Sequence, residues 1–258
     1  MGISYAKQHR TFFYNFKRYG IKISNEELKQ IIITIVVVAF VWSFNKWGDE
    51  TFDFVMGIQN FMKGILFATI GLIMNQIGQR IVAVYYGYDP IYEYSMIGIM
   101  AAVVIAFSSR GYLIFFLPGG IKLRHLAASR LGEFRYYTSD WEWAKAAFQG
   151  PFFNIVLALI LSMFKHIPVA RQLMVMNIMF AIYSIVPLPG NVGLYLFYPL
   201  IFFWAFTVGF VLSTSLLIFF LSPFFTLLIG TIVAVASMAY WYIGVDKKLD
   251  TEFDKAEH

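Results

Sequence analysis

Gly71-Leu72-Ile73-Met74-Asn75-Gln76-Ile77-Gly78-Gln79-Arg80-Ile81-Val82-Ala83-Val84-Tyr85-Tyr86-Gly87 sets three amides and an arginine inside an otherwise apolar run. Asn75 and Gln79 are four residues apart and share one face of a helix. Gly64, Ala68, Gly71, Asn75 and Gly78 follow that face at steps of four, three, four and three. Such a small-residue seam lets another helix approach closely. Polar side chains in hydrocarbon are costly and face a bundle interior or a wet cavity. Two readings follow from the residues alone: helix packing held by amide hydrogen bonds, or a polar pocket that binds something.

The rest of the chain places this helix in a membrane. Of 258 residues, 59% are hydrophobic, 19% aromatic and only 14% charged, against about 25% charged in a soluble globular chain. This composition excludes a soluble enzyme, a disordered tail and a nucleic-acid module. The net charge of +5 belongs to basic residues lying between apolar runs. Cysteine is absent, and the four histidines, His9, His125, His166 and His258, include no helical ligand pair.

Ser24 and Glu27 have capping-box spacing, predicting a helix that runs through 28–44. Further apolar segments lie at about 61–86, 150–165, 172–188, 194–222 and 223–245, the last two divided by Pro223. Residues 91–107 and 112–118 are apolar but shorter than the ~20 residues a helical crossing needs. They read as a helix and an extended segment that dip in and return. The expected architecture is an all-α, polytopic (multi-pass) membrane protein with about six transmembrane helices and one re-entrant segment. Residues 1–30 form a basic N-terminal segment, either an amphipathic helix on an anionic surface or a solvated tail. Residues 31–245 form the transmembrane domain, and 246–258 a charged C-terminal tail. Lys and Arg concentrate in 1–30, 121–148 and 246–258, while the opposite loops hold Lys46, Lys63, Lys165 and Arg171. That bias predicts an integral cell-membrane protein with cytoplasmic N- and C-termini. The lipid bilayer is the first partner it implies.

Residues 75–87 resemble the first catalytic helix of the site-2 protease family of intramembrane zinc metalloproteases. That family's pattern is H-E-x-x-H, commonly with Gly before the second His and with Ala four and Gly eight residues after it. Gly78, Ala83 and Gly87 stand at those positions, whereas the His, Glu and His fall on Asn75, Gln76 and Gln79. Gln149-Gly150-Pro151-Phe152-Phe153-Asn154 is similar to the family's A-G-P-x-x-N entry to its next core helix. Tyr183-Ser184-Ile185-Val186-Pro187-Leu188-Pro189-Gly190-Asn191-Val192-Gly193 is similar to its N-x-x-P-x-x-x-x-D-G segment, with Ser184 at the Asn and Val192 at the Asp that supplies the third zinc ligand. Gly98–Gly120 resembles the membrane-embedded segment of prokaryotic members, and the likeness covers roughly 61–195.

The resemblance implies a zinc-hydrolase scaffold; the residues themselves predict that it is degenerate. Catalytic zinc takes three protein ligands from His, Asp/Glu or Cys, and the positions here hold Asn, Gln and Val. Gln76 cannot accept a proton at neutral pH, so the general base is missing too. No catalytic residue, metal site or cofactor is therefore expected; the family's zinc is predicted absent. Asn and Gln keep much of the reach of His and Glu, so Asn75, Gln79, Asn154, Ser184, Pro187 and Asn191 are the candidate substrate- or helix-binding residues of a pseudoprotease. Its expected partners are transmembrane helices of other proteins, not nucleic acid. The alternatives are a channel or transporter whose path is lined by Asn75, Gln79, Arg80, Glu93 and Asn154, and a metalloprotease with unorthodox ligands.

Overall fold

The computed structural model describes residues 12–48, 51–125, 139–198 and 200–246. Residues 1–11 of the basic N-terminal segment, 247–258 of the C-terminal tail and 126–138 of the polar stretch before residue 139 lie outside the described residues. The fold is mostly helical. Three helices are long and apolar enough to cross a membrane.

The chain enters through a π-helical turn, Phe16–Gly20, whose Phe12 and Phe16 rings stack 5.8 Å apart. Helix α1 (Asn25–Ser43) carries the predicted capping box in full. The Ser24 hydroxyl accepts from the Glu27 N–H at 3.2 Å, and the Glu27 carboxylate accepts from the Ser24 N–H at 3.4 Å. Helix α2 (Phe54–Tyr85) starts earlier than the apolar pattern indicates, because Asp53 caps it by accepting from the Met56 N–H at 2.9 Å. Its 32 residues extend about 48 Å, well beyond a ~30 Å hydrocarbon core.

Strand β1 (Tyr88–Glu93) follows, then α3 (Met96–Ser108), capped by Ser95 accepting from the Gly98 N–H. The chain turns at Ser109-Arg110-Gly111, where Arg110 and Gly111 have φ of 52° and 76°. It returns without helix to strand β2 (Gly120–His125). A Cβ on Gly111 would meet Phe44 and Asn45 at the far end of α1, and one on Gly119 would meet the Glu93 carbonyl. Residues 96–119 thus go out as a helix and come back extended, while 91–93, expected in that helix, belong to β1.

The two strands pair antiparallel, Tyr88 opposite His125 and Glu93 opposite Gly120. This sheet corrects the all-α expectation. Gly87-Tyr88-Asp89-Pro90 reads locally as a helix break, and the break is used to start a strand whose partner lies across the α3 excursion.

Helix α4 (Asp140–Ser162) holds Pro151 in its interior, α5 spans Pro168–Ser184, and short α6 spans Val192–Phe197. Helices α7 (Ile201–Leu217) and α8 (Pro223–Trp241) form a terminal hairpin. The expected single run over 194–222 is therefore two helices, interrupted just before Ile201. The break falls at Leu200, whose backbone (φ −148°, ψ 74°) is not helical.

The expectation of about six spanning helices stands at α2, α4 and the stretch Pro223–Gly244 by length and composition. Helix α1 has 19 residues but opens with Glu26, Glu27 and Lys29; α5 and α7 have 17 each.

Helix α2 is the hub, packed by α1, α4 and α5. Gly64 lies against the Ala39 backbone, where an added Cβ would sit 3.1 Å away, and Gly78 lies against the Gln149 carbonyl. The small-residue seam read from the sequence is thus split, with Gly64 facing α1 and Gly71 and Gly78 facing α5 and α4. In the α7–α8 hairpin, Gly209 faces Ser237 and Ala234, and Gly230 faces Thr214. Most of α8 is exposed apolar surface, the character of a helix with lipid around it.

Candidate functional site

The polar residues singled out in the sequence meet in one buried network between α2, α4 and α5. Asn75 is wholly buried; its Nδ2 donates to Asn154 Oδ1 at 2.8 Å and to Ser184 Oγ at 3.0 Å. Its Oδ1 accepts from Gln79 Nε2 at 2.6 Å, one turn along the same helix. Asn154 Nδ2 donates in turn to the Gly71 carbonyl at 2.8 Å and to Asn177 Oδ1 at 3.0 Å. Asn177 and Ser184 close the network by donating to the Leu173 and Phe180 carbonyls of their own helix.

Asn191 serves a separate purpose. Its Nδ2 lies 2.8 Å from the Tyr183 carbonyl, 3.2 Å from that of Ser184 and 2.8 Å from that of Val186, so it ties down the frayed end of α5. Pro187 is half-buried in the turn that follows and makes no part of the amide network. Asn177 was not singled out in the sequence. Its signal was available, since it is an amide in the middle of the apolar run 172–188, as Asn75, Gln76 and Gln79 are inside 61–86.

Glycines make the approach possible. A Cβ on Gly150 would stand 2.3 Å from Gln79 Nε2 and 2.9 Å from Asn75 Oδ1. A Cβ on Gly193 would stand 2.4 Å from the Val186 carbonyl and 2.5 Å from that of Ile185. Backbone cannot give way as a flexible side chain can. Gly193→Ala is therefore expected to destabilise the protein by about 2–4 kcal/mol; a melting temperature in detergent equal to the wild type's would contradict this packing.

Val192 begins α6 and packs on β2, where a Cβ on Gly120 would sit 2.7 Å from Val192 Cγ2. Gln79 and Val192, which are far apart in sequence, line one narrow void with Ile121, Trp143, Ala146 and Tyr195; it admits no water-sized sphere. Spare hydrogen-bonding capacity remains here. Gln79 Oε1 and Trp143 Nε1 are buried without partners, as are both amide atoms of Gln76. Buried polar groups left unmatched cost about 1–3 kcal/mol each.

These residues do not fit zinc. Asn75 and Gln79 are neutral amides and valine offers no donor. Among the described residues no three His, Cys, Asp or Glu side chains cluster. Amides neither give nor take a proton near neutral pH, so the geometry supports hydrogen bonding and not acid–base chemistry.

Arg80 does not belong to this network. It turns to the other side of α2, donating from Nη2 to Glu27 Oε1 and from Nη1 to the Gly20 carbonyl at 3.2 Å. The same Glu27 oxygen accepts from the Tyr92 N–H at 2.8 Å. Sequence reading used Glu27 only as a cap. The missing signal was charge balance, because an arginine inside an apolar helix needs a buried anion. Nearby, on β1, burial raises the Asp89 carboxyl above its ordinary value, while Arg124 pulls it down and Glu27 adds to the rise. Glu93, expected on a polar path, instead pairs with Lys122 across the sheet at 2.6 Å.

No protein-family model, curated protein or solved structure matches this chain.

Proposed function

We propose that this chain is a catalytically inactive, site-2-protease-like membrane protein, a pseudoprotease that binds transmembrane segments of a membrane partner. One observation supports it above the others: Gln79 and Val192 border the same void, and Asn75 joins Gln79, Asn154 and Ser184 by hydrogen bonds. These are the positions at which the resemblance would put the metal ligands and their supporting residues. In this reading the amides have replaced a metal as the link between helices. The protein carries no zinc, spans the membrane about six times and keeps both termini in the cytoplasm.

The spare capacity at Gln76 and Gln79 is buried, so in this reading α2 and its neighbours part to let a segment reach it. Segments broken by glycine or proline leave backbone N–H and C=O groups that need partners in lipid, and a free amide offers both a donor and an acceptor. A synthetic transmembrane peptide with a central Gly-Pro break, reconstituted in nanodiscs, is expected to bind about tenfold more weakly to Gln76→Leu than to wild type. Equal binding would remove the recognition role. One equivalent of metal in the purified protein, or chelator-sensitive cleavage of the peptide, would overturn the inactive reading.

The scaffold itself can be tested by reversal. The combined variant Asn75→His, Gln76→Glu, Gln79→His and Val192→Asp is expected to take up one zinc where wild type takes none. A folded, monodisperse variant that takes up none would count against the scaffold. Nothing favours the channel reading, since Asn75, Gln79 and Asn154 are sealed in the interior and bonded to one another. Reconstituted vesicles are expected to show no ion leak above empty ones.

A further inference from the structure

At the end of the bundle where α1 stops and α4 turns into α5, a pocket of about 370 Å³ is lined by the apolar Trp42, Pro168 and Val175 and by the polar Lys165, His166, Arg171 and Gln172. Its lining joins an apolar wall to two cations, Lys165 and Arg171. Lys46 joins the same corner, its ammonium lying 3.7 Å over the Trp42 ring. Burial pulls that ammonium below its ordinary value, so an anion nearby would be welcome.

These polar side chains are not used up by the protein. Among the described residues, the Arg171 and His166 side chains have neither a hydrogen bond nor an ion pair, and Lys165 reaches only the Phe219 carbonyl at 3.4 Å. No carboxylate lines the pocket. The gathering goes against the charge pattern of the chain. Lys46, Lys165 and Arg171 are among the basic residues that the charge bias sets apart from the three basic segments, and the fold brings them to one corner. The flanking Met163, Phe164, Ile167 and Val169 are exposed apolar residues, a surface that acyl chains cover and water does not favour.

We propose that this pocket binds the phosphate of an anionic phospholipid, with Arg171 and Lys165 on the phosphate and the apolar wall against the glycerol and upper acyl chain. Guanidinium and ammonium groups match phosphate oxygens with charge-assisted hydrogen bonds. Volume agrees with a headgroup-sized ligand. The apolar surroundings favour a lipid over a free anion.

The test uses the full chain in detergent, offered phosphatidylcholine containing about 20% phosphatidylglycerol, with bound lipid read by native mass spectrometry. Wild type is expected to retain phosphatidylglycerol selectively. The double variant Lys165→Ala/Arg171→Ala is expected to lose about 30-fold in apparent affinity, each basic residue near a headgroup contributing similarly. Lys63→Ala, an exposed lysine that does not line the pocket, should leave retention unchanged. Equal loss in Lys63→Ala, or equal retention of phosphatidylcholine, would overturn the site. A third arm adds inorganic phosphate at millimolar concentration; full displacement of the lipid would assign the pocket to a soluble anion and overturn the lipid assignment. Should the double variant not fold, Arg171→Ala alone is expected to lose about fivefold, and no loss would refute the proposal.

Discussion

Glu27→Gln is expected to cost the folded protein about 3–5 kcal/mol, the usual effect of stranding one member of a buried ion pair. The Glu27 and Arg80 side chains are 2% and 7% exposed. One carboxylate holds three pieces of structure at once: the start of α1 through Ser24, α2 through Arg80, and β1 through the Tyr92 N–H. The amide that replaces it can still accept at one oxygen but leaves the arginine charge with only the Gly20 carbonyl. Arg80→Met should be as damaging, because it buries an uncompensated carboxylate. The double variant Glu27→Gln/Arg80→Met should recover at least about 2 kcal/mol of the summed loss, since neither charge is then left alone. Unfolding in detergent mixed with increasing dodecyl sulfate measures all three. Single losses below about 1 kcal/mol would mean the pair is solvated, and the account of α1 anchoring would fail.

Asn154→Ala is expected to destabilise by about 2–4 kcal/mol, from lost hydrogen bonds and a small cavity together. Its amide is the only side chain bonded to both Asn75 and Asn177 among the described residues, so it joins α2, α4 and α5. Truncation strands the Asn177 oxygen and one Asn75 donor direction, although Asn75 keeps its bond to Ser184. Hydrogen bonds between membrane helices average only about 0.6 kcal/mol in double-mutant cycles. A value at the upper end would therefore show that the network acts as a unit. Asn154→Ala combined with Asn177→Ala should cost less than the sum of the two. Thr231→Ala on α8, whose hydroxyl bonds only to its own helix at the Leu227 carbonyl and is exposed, should change stability by less than about 0.5 kcal/mol. Equal effects at 154 and 231 would rule out an energetic role for the buried amides.

The two predictions concern different faces of α2, and their residues are unequally legible in the sequence. Asn75, Gln79, Asn154 and Ser184 were identifiable because polar groups stand out in an apolar run and carry a helical spacing. Glu27 and Asn177 were overlooked as partners. Glu27 had a sufficient local explanation as a cap, which hid its second bond to Arg80. Asn177 lay outside every motif stretch. Pro187 and Asn191 were grouped with the amides on motif position, yet Asn191 holds backbone carbonyls and Pro187 shapes a turn. The β1–β2 pairing was not legible: Ile121-Lys122-Leu123-Arg124 alternates apolar and polar, but the strand it needs lies across the α3 excursion, and a two-stranded sheet depends on its partner.

By itself the sequence determined what is local: an apolar helical chain, the Ser24 capping box, most of the excursion at 91–118 and a polar spot in the middle of α2. Composition, period and capping act over a few residues and need no knowledge of neighbours. Only the tertiary structure decided which amide bonds to which, that Arg80 turns away from them to Glu27, and that Val192 comes to rest beside Gln79. Those outcomes depend on how helices cross and how deeply small residues let them approach: the adjacent Gln79 and Arg80 point to different sides of α2, and the packing decides that one meets Asn75 and the other Glu27.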